Sequence, residues 1–146
     1  MGGPSGTTNH PMDPKGRVTF PAKYHREFHD DLVLVKSIER NYPSLSIYSR
    51  EEYDAYVDSF FESHGGFNAR SASHVRLWTR LYKDCTDVNV DQAGRILIPV
   101  QLREYAQLEK TVSIVGVRKY VQIWNPDILD RYMNDFDEED DLLDLP

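Results

Sequence analysis

Two arginines carry the chemistry this chain is built to do. Arg17 and Arg95 each follow a glycine, and each glycine stands three residues after an aspartate: Asp13-Pro14-Lys15-Gly16-Arg17 and Asp91-Gln92-Ala93-Gly94-Arg95, 78 positions apart. An aspartate opening a four-residue turn accepts hydrogen bonds from backbone N–H groups ahead of it, and glycine supplies the positive φ such turns demand. Each arginine therefore leaves the mouth of a tight turn. A guanidinium presented in this way suits bidentate recognition of the O6 and N7 edge of guanine, and a nearby ammonium suits a phosphate or a second acceptor. The first turn carries Lys15 where the second has Ala93, which would make the first the better suited to such recognition. The competing reading is that Arg17 and Arg95 only cap their turns or pair with the nearby aspartates.

The residues around each turn repeat as well. Val18-Thr19-Phe20 and Ile96-Leu97-Ile98 have strand composition, and Pro21 and Pro99 end them and can start a helix. The expected unit is turn, strand and short helix, over Pro21 to Phe28 in one copy and Pro99 to Tyr105 in the other. Further strands are expected at Leu32–Val35 and Val112–Val115, then at Ser44–Tyr48 and Tyr120–Trp124, where apolar and polar residues alternate. A unit this small buries too little apolar surface to stand alone, so the two copies should share one core.

Between the copies lies a helical insert. Ser49 and Glu52 form a capping box, and Tyr53, Tyr56, Val57, Phe60 and Phe61 then share one face until His64-Gly65-Gly66 stops the helix. A second helix follows, with Val75, Trp78, Leu81 and Tyr82 apolar and Arg76, Arg80 and Lys83 on another face. The aromatic stripe reads as core packing. The hairpin is expected to cover the repeats or to pack between subunits. Asn125-Pro126-Asp127 is a capped helix start. At the other end, Gly2, Gly3, Pro4, Gly6 and Pro11 favour a mobile start over Met1 to Met12, and Pro11 removes a donor from any strand there.

Composition limits the alternatives. The 146 residues suffice for one domain, and no run of 18 apolar residues occurs. With no leader pattern either, a soluble cytoplasmic protein is expected. A single cysteine, Cys85, excludes an intramolecular disulfide and a multi-cysteine zinc cluster. His25 and His29 lie four apart, but Arg26 stands where the zinc-protease pattern needs glutamate, and they read as solvated or capping. No Gly-rich phosphate loop, nucleophile elbow or His-Cys-Asp constellation is present, so no enzyme, no cofactor, no metal and no small-molecule ligand are expected. The formal charge is −7, yet Asp135, Asp137, Glu138, Glu139, Asp140, Asp141 and Asp144 crowd the last 13 residues. The rest is formally neutral. A neutral body can bind DNA where its bases cluster, weakly and with steep salt dependence, and repetition of the site in an oligomer would compensate.

The paired Asp-x-x-Gly-Arg turns, each followed by a strand and proline, resemble the MraZ family of bacterial transcription regulators. Leu102-Arg103-Glu104-Tyr105-Ala106, Val115-Gly116 and Ile123-Trp124 carry the same likeness. That family belongs to the wider AbrB-like group. The resemblance implies an α+β fold: two tandem AbrB-like β-α-β repeats forming one intrachain pseudo-dimeric swapped-hairpin, double-psi-like β-barrel. It divides the chain into a first repeat at 7–48, a helical hairpin at 49–84, a second repeat at 86–125, a C-terminal helix at 126–133 and a disordered acidic tail at 134–146.

By the same resemblance the chain would be a DNA-binding transcription regulator, acting as a repressor and associated with the nucleoid. It would assemble into a homo-oligomeric ring, reading guanine-rich direct repeats of double-stranded DNA upstream of a division and cell-wall gene cluster. The DNA-binding residues would be Lys15, Arg17 and Arg95, on turns shaped by Asp13, Gly16, Asp91 and Gly94. Two other readings stay open: an AbrB-type antitoxin that binds DNA and clamps a toxin, and a structural oligomer without DNA binding.

Overall fold

A computed structural model describes residues 3–135 of the chain. The acidic stretch from Phe136 onward lies outside the described residues. The fold is mixed α+β, with five α-helices and only antiparallel strand pairs among the described residues.

The first repeat contributes β1 (Thr7–Pro11), β2 (Arg17–Thr19), α1 (Ala22–Phe28), β3 (Leu32–Lys36) and β4 (Leu45–Ser49). The helical insert follows as α2 (Arg50–Ser59), a 3-10 turn (Glu62–His64) and α3 (Ala72–Tyr82). The second repeat supplies β5 (Thr86–Val88), β6 (Arg95–Leu97), α4 (Val100–Tyr105), β7 (Thr111–Val117) and β8 (Tyr120–Trp124), and α5 (Pro126–Asn134) closes the series.

The pairing of these strands is symmetric and exchanged. The main sheet runs β1-β7-β8-β4-β3-β5, so each repeat's leading strand pairs with a strand of the other repeat, β1 on β7 and β5 on β3. At the centre of the sheet Ser46 faces Gln122. A second, two-stranded ribbon joins β2 to β6, with Val18 opposite Ile96, Arg17 opposite Leu97 and Thr19 opposite Arg95. Val18 and Ile96 hold equivalent places in the two repeats. The ribbon is therefore two-fold symmetric about that pair.

Side-chain alternation then sorts the layers. Val18 and Ile96, both fully buried, pack with Phe20, Tyr24, Leu34, Ile47, Ile98, Ile114 and Ile123 into the core that the two repeats share. On the opposite face of the sheet, Val33, Val35 and Tyr48 pack beneath Tyr53, Val57 and Phe61 of the helical insert. A strand covered on both faces reads as a continuous apolar run, and this accounts for Leu32-Val33-Leu34-Val35. The Ser49 hydroxyl accepts from the Glu52 N–H at 3.2 Å and caps α2. The aromatic stripe of α2 and α3 is packing, with Tyr53 edge-on to Tyr48 at 5.2 Å and Trp78 stacked on Tyr82 at 4.6 Å.

Two local expectations change. From Pro4 to Pro11 the leading segment is tied down rather than loose: Thr7 to Pro11 pair with Val115 to Thr111, the Pro4 carbonyl accepts from the Arg118 N–H at 2.8 Å, and the Ser5 carbonyl accepts from the Tyr24 hydroxyl at 3.0 Å. Pro11 is tolerated because β1 is an edge strand, where a missing N–H leaves no ladder partner unpaired. Pro21 and Pro99 are not the first residues of their helices but the caps before them, with ψ of 132° and 150°.

The ribbon yields a direct contrast between neighbours. Ile96→Ala should lower stability by about 2–5 kcal/mol, because it leaves a cavity on the symmetry axis, whereas Leu97→Ala, at a side chain 55% exposed, should cost under about 0.5 kcal/mol. Urea unfolding midpoints at unchanged m-value check this.

Candidate nucleic-acid interface

The two turns are built alike, atom for atom. Asp13 Oδ1 accepts from the N–H groups of Lys15 at 3.0 Å and Arg17 at 2.9 Å, while Oδ2 accepts from Arg17 Nε at 2.6 Å. Asp91 Oδ1 accepts from Ala93 N and Arg95 N, both at 2.9 Å, and Oδ2 from Arg95 Nε at 3.3 Å. The turns close through Gly16 N to the Asp13 carbonyl and Gly94 N to the Asp91 carbonyl, each 2.9 Å. Both glycines hold positive φ, +90° and +78°, so the residue type is a backbone requirement here.

Each turn is also fastened to the other repeat. The Gly94 carbonyl accepts from Phe20 N and the Gly16 carbonyl from Ile98 N, both at 2.9 Å. Since Val18 and Ile96 point inward, Arg17, Thr19, Arg95 and Leu97 share the outer face of the ribbon. Arg17 and Arg95 are diagonal neighbours there, a relation that separates side chains by roughly 7–8 Å at their bases. Lys15 is exposed at the end of the first turn.

The arginine–aspartate pairs that the competing reading proposed are present. They engage Nε only, and neither guanidinium has an Nη hydrogen bond among the described residues. The arrangement thus fixes the stem of each arginine while its terminal fork stays available. Both carboxylates sit below their ordinary value of 3.8, foremost because the backbone N–H of the following arginine bonds to each, so they stay charged and keep the turns shaped at neutral pH.

One basic residue escaped sequence reading. Arg103, on α4, donates from Nε to the Ile98 carbonyl at 2.9 Å and lies against Gly16 so closely that a Cβ there would sit 2.6 Å from its Nε. Its counterpart in the first repeat is His25, which turns away to Asp30, 2.7 Å from Nε2 to Oδ1. His29 caps α1 at φ +63°. No group of three metal-ligating side chains occurs among the described residues, and no helix among them is long and apolar enough to cross a membrane. Cys85 is half-buried, its thiol pushed up by burial and bonded to the Leu81 carbonyl. A groove of about 1290 Å³ lies away from the turns between the helical insert and α5, lined by Ser44, Ser46, Tyr48, Tyr120 and Gln122 among others.

Comparison with known proteins shows what the chain is similar to. The family model described as "MraZ protein, putative antitoxin-like" matches residues 5–73 and 81–142. A transcriptional regulator MraZ of Thermoanaerobacter pseudethanolicus is 35% identical over 133 residues, covering 90% of this chain and 87% of the relative. Those of Desulforamulus reducens and Paenarthrobacter aurescens are 34% and 31% identical, over 87% and 93% of this chain and 84% and 93% of theirs.

The two glycines should respond unequally to substitution. Gly94→Ala meets open space and costs only the left-handed backbone, about 1–2 kcal/mol, whereas Gly16→Ala also drives a Cβ to 2.7 Å from the Ile98 carbonyl and should cost more, as read by urea unfolding. A carboxylate held low contributes stability that is present above its unfolded value and is lost as pH falls through its folded value. Carboxyl carbon shifts followed by NMR should therefore place the Asp13 and Asp91 midpoints below 3.8, and Arg17 and Arg95 amide shifts should move with them.

Proposed function

The chain belongs to the MraZ family, and on that premise we propose that it regulates transcription by inserting the β2–β6 ribbon into the major groove of DNA. The observation that carries this is the outer face of the ribbon: Arg17, Thr19, Arg95 and Leu97 stand together on two paired strands whose turns are braced by carboxylates. A two-stranded ribbon fits the width of that groove. Arg17 is the principal base reader, taking the O6 and N7 edge of guanine with its free fork. Arg95 assists, Lys15 contacts phosphate or a second acceptor, and Thr19 and Leu97 offer methyl groups to thymine. Asp13, Gly16, Asp91 and Gly94 serve by shaping the turns.

The repeats form an intrachain pseudo-dimer of the swapped-hairpin kind, a reading supported by the exchange of β1 and β5 between them. Copies of the chain join in a ring that lays successive ribbons on guanine-rich direct repeats upstream of a division and cell-wall gene cluster, where the protein represses. A body without excess positive charge gains affinity through such repetition. The chemistry requires no cofactor. A second reading is favoured by the antitoxin-like description of the matching family: a DNA-bound regulator whose acidic C-terminal residues hold a basic toxin. Co-purification of one stoichiometric protein partner, lost on removal of residues 136–146, is the expected result under that reading.

The deciding experiment titrates a duplex of guanine-rich direct repeats and a scrambled duplex with the native chain and with Arg17→Ala. The native chain should prefer the repeats. Arg17→Ala should keep its thermal unfolding profile and lose about 1–3 kcal/mol of that preference, and an unchanged preference would refute base reading by Arg17.

A further inference from the structure

The two turns look equivalent in outline but differ in charge. At the second turn Arg95 is balanced by Asp91, Ala93 is neutral, and the position equivalent to Arg103 is His25, which faces Asp30. The first turn carries Lys15 and Arg17 with Asp13, and Arg103 lies against its Gly16. Arg103 comes from the other repeat and reaches the turn because α4 follows directly on β6, the strand paired with β2.

Its geometry is that of a held clamp. The Nε–H bond to the Ile98 carbonyl and the contact with Gly16 lay the guanidinium along the turn, and its Nη groups have no acceptor among the described residues. The Ile98 N–H in turn donates to the Gly16 carbonyl, so one residue of β6's end grips both the turn and the arginine. A guanidinium held against the turn that carries Lys15 and Arg17, whose carboxylate is already engaged by Arg17, suits a multiply negative oxyanion. Phosphate esters match a guanidinium fork bidentately.

Resting on the reading of the ribbon as a DNA interface, we propose that Arg103 is its phosphate clamp. It braces the first turn and grips the backbone of the same DNA strand whose base edge Arg17 reads, so the first turn bears most of the binding. The clamp contributes affinity without sequence preference, whereas Arg17 contributes preference.

The test is a fluorescence anisotropy titration across NaCl concentrations, on the repeat duplex and the scrambled duplex, with the full native chain, Arg103→Ala, Arg103→Gln and Arg103→Lys. The expected result is that Arg103→Ala and Arg103→Gln weaken binding to both duplexes by a similar factor, about tenfold, and make the log–log salt dependence shallower by about 1. Arg103→Lys, which keeps the charge, should retain the native slope. If Arg103→Ala does not fold, as judged by thermal unfolding, Arg103→Gln and Arg103→Lys carry the comparison. Native affinity and slope in Arg103→Gln overturn the clamp while leaving the ribbon reading intact. A native chain that binds neither duplex overturns both.

Discussion

Val18 opposite Ile96 is the contact on which everything else depends. Each belongs to a three-residue strand, too short to hold itself, and each strand finds its ladder partner in the other repeat. Burial of that pair turns the alternate residues outward, so the force that closes the core also presents the arginines. The exchange of β1 and β5 extends the same dependence across the main sheet. Neither repeat retains a complete set of strand partners without the other, and the pairing of Thr7 with Val115 joins segments almost at opposite ends of the described chain. Contacts of such separation in sequence make for slow folding and for cooperative loss of the whole structure.

The ion pairs at the turns contribute little to stability. Arg17 and Asp13 are both partly solvated, and water screens exposed pairs of this kind. Their effect is geometric. Two backbone N–H groups on one carboxylate oxygen hold the turn, and the Nε contact holds the arginine stem in one rotamer, which lowers the entropy still to be lost when its fork meets a partner. This is how a chain of overall negative charge maintains a cationic site: the site is local, pre-shaped and separate in sequence from the acidic end.

The elements that stood out in the sequence are those dictated by short-range chemistry. Asp13 and Gly16, Ser49 and Glu52, and Asn125 with Pro126 act within a few residues, and the structure has each turn and cap where that chemistry puts it. Arg103 stayed hidden because its significance is tertiary. It lies in the second repeat and acts on the first, and only the pairing of β2 with β6 brings them together. The leading strand stayed hidden for the opposite reason. Pro11 within it and Gly3, Pro4 and Gly6 before it oppose local order, and an edge position on β7 overrides them. The prolines after the motif strands were one residue off because φ near −60° suits both a cap and a first helical position, and ψ, which separates the two, is set by the preceding strand.

Fusion of two similar halves in one chain has a consequence that a dimer of identical chains cannot have. In such a dimer both turns must carry the same residues, and the surface has no front or back. Here Lys15 is matched by Ala93, and Arg103 by His25. The ribbon is symmetric in its backbone and polar in its side chains. An object of that kind has two unlike ends, so its two orientations against any surface it docks on are not equivalent.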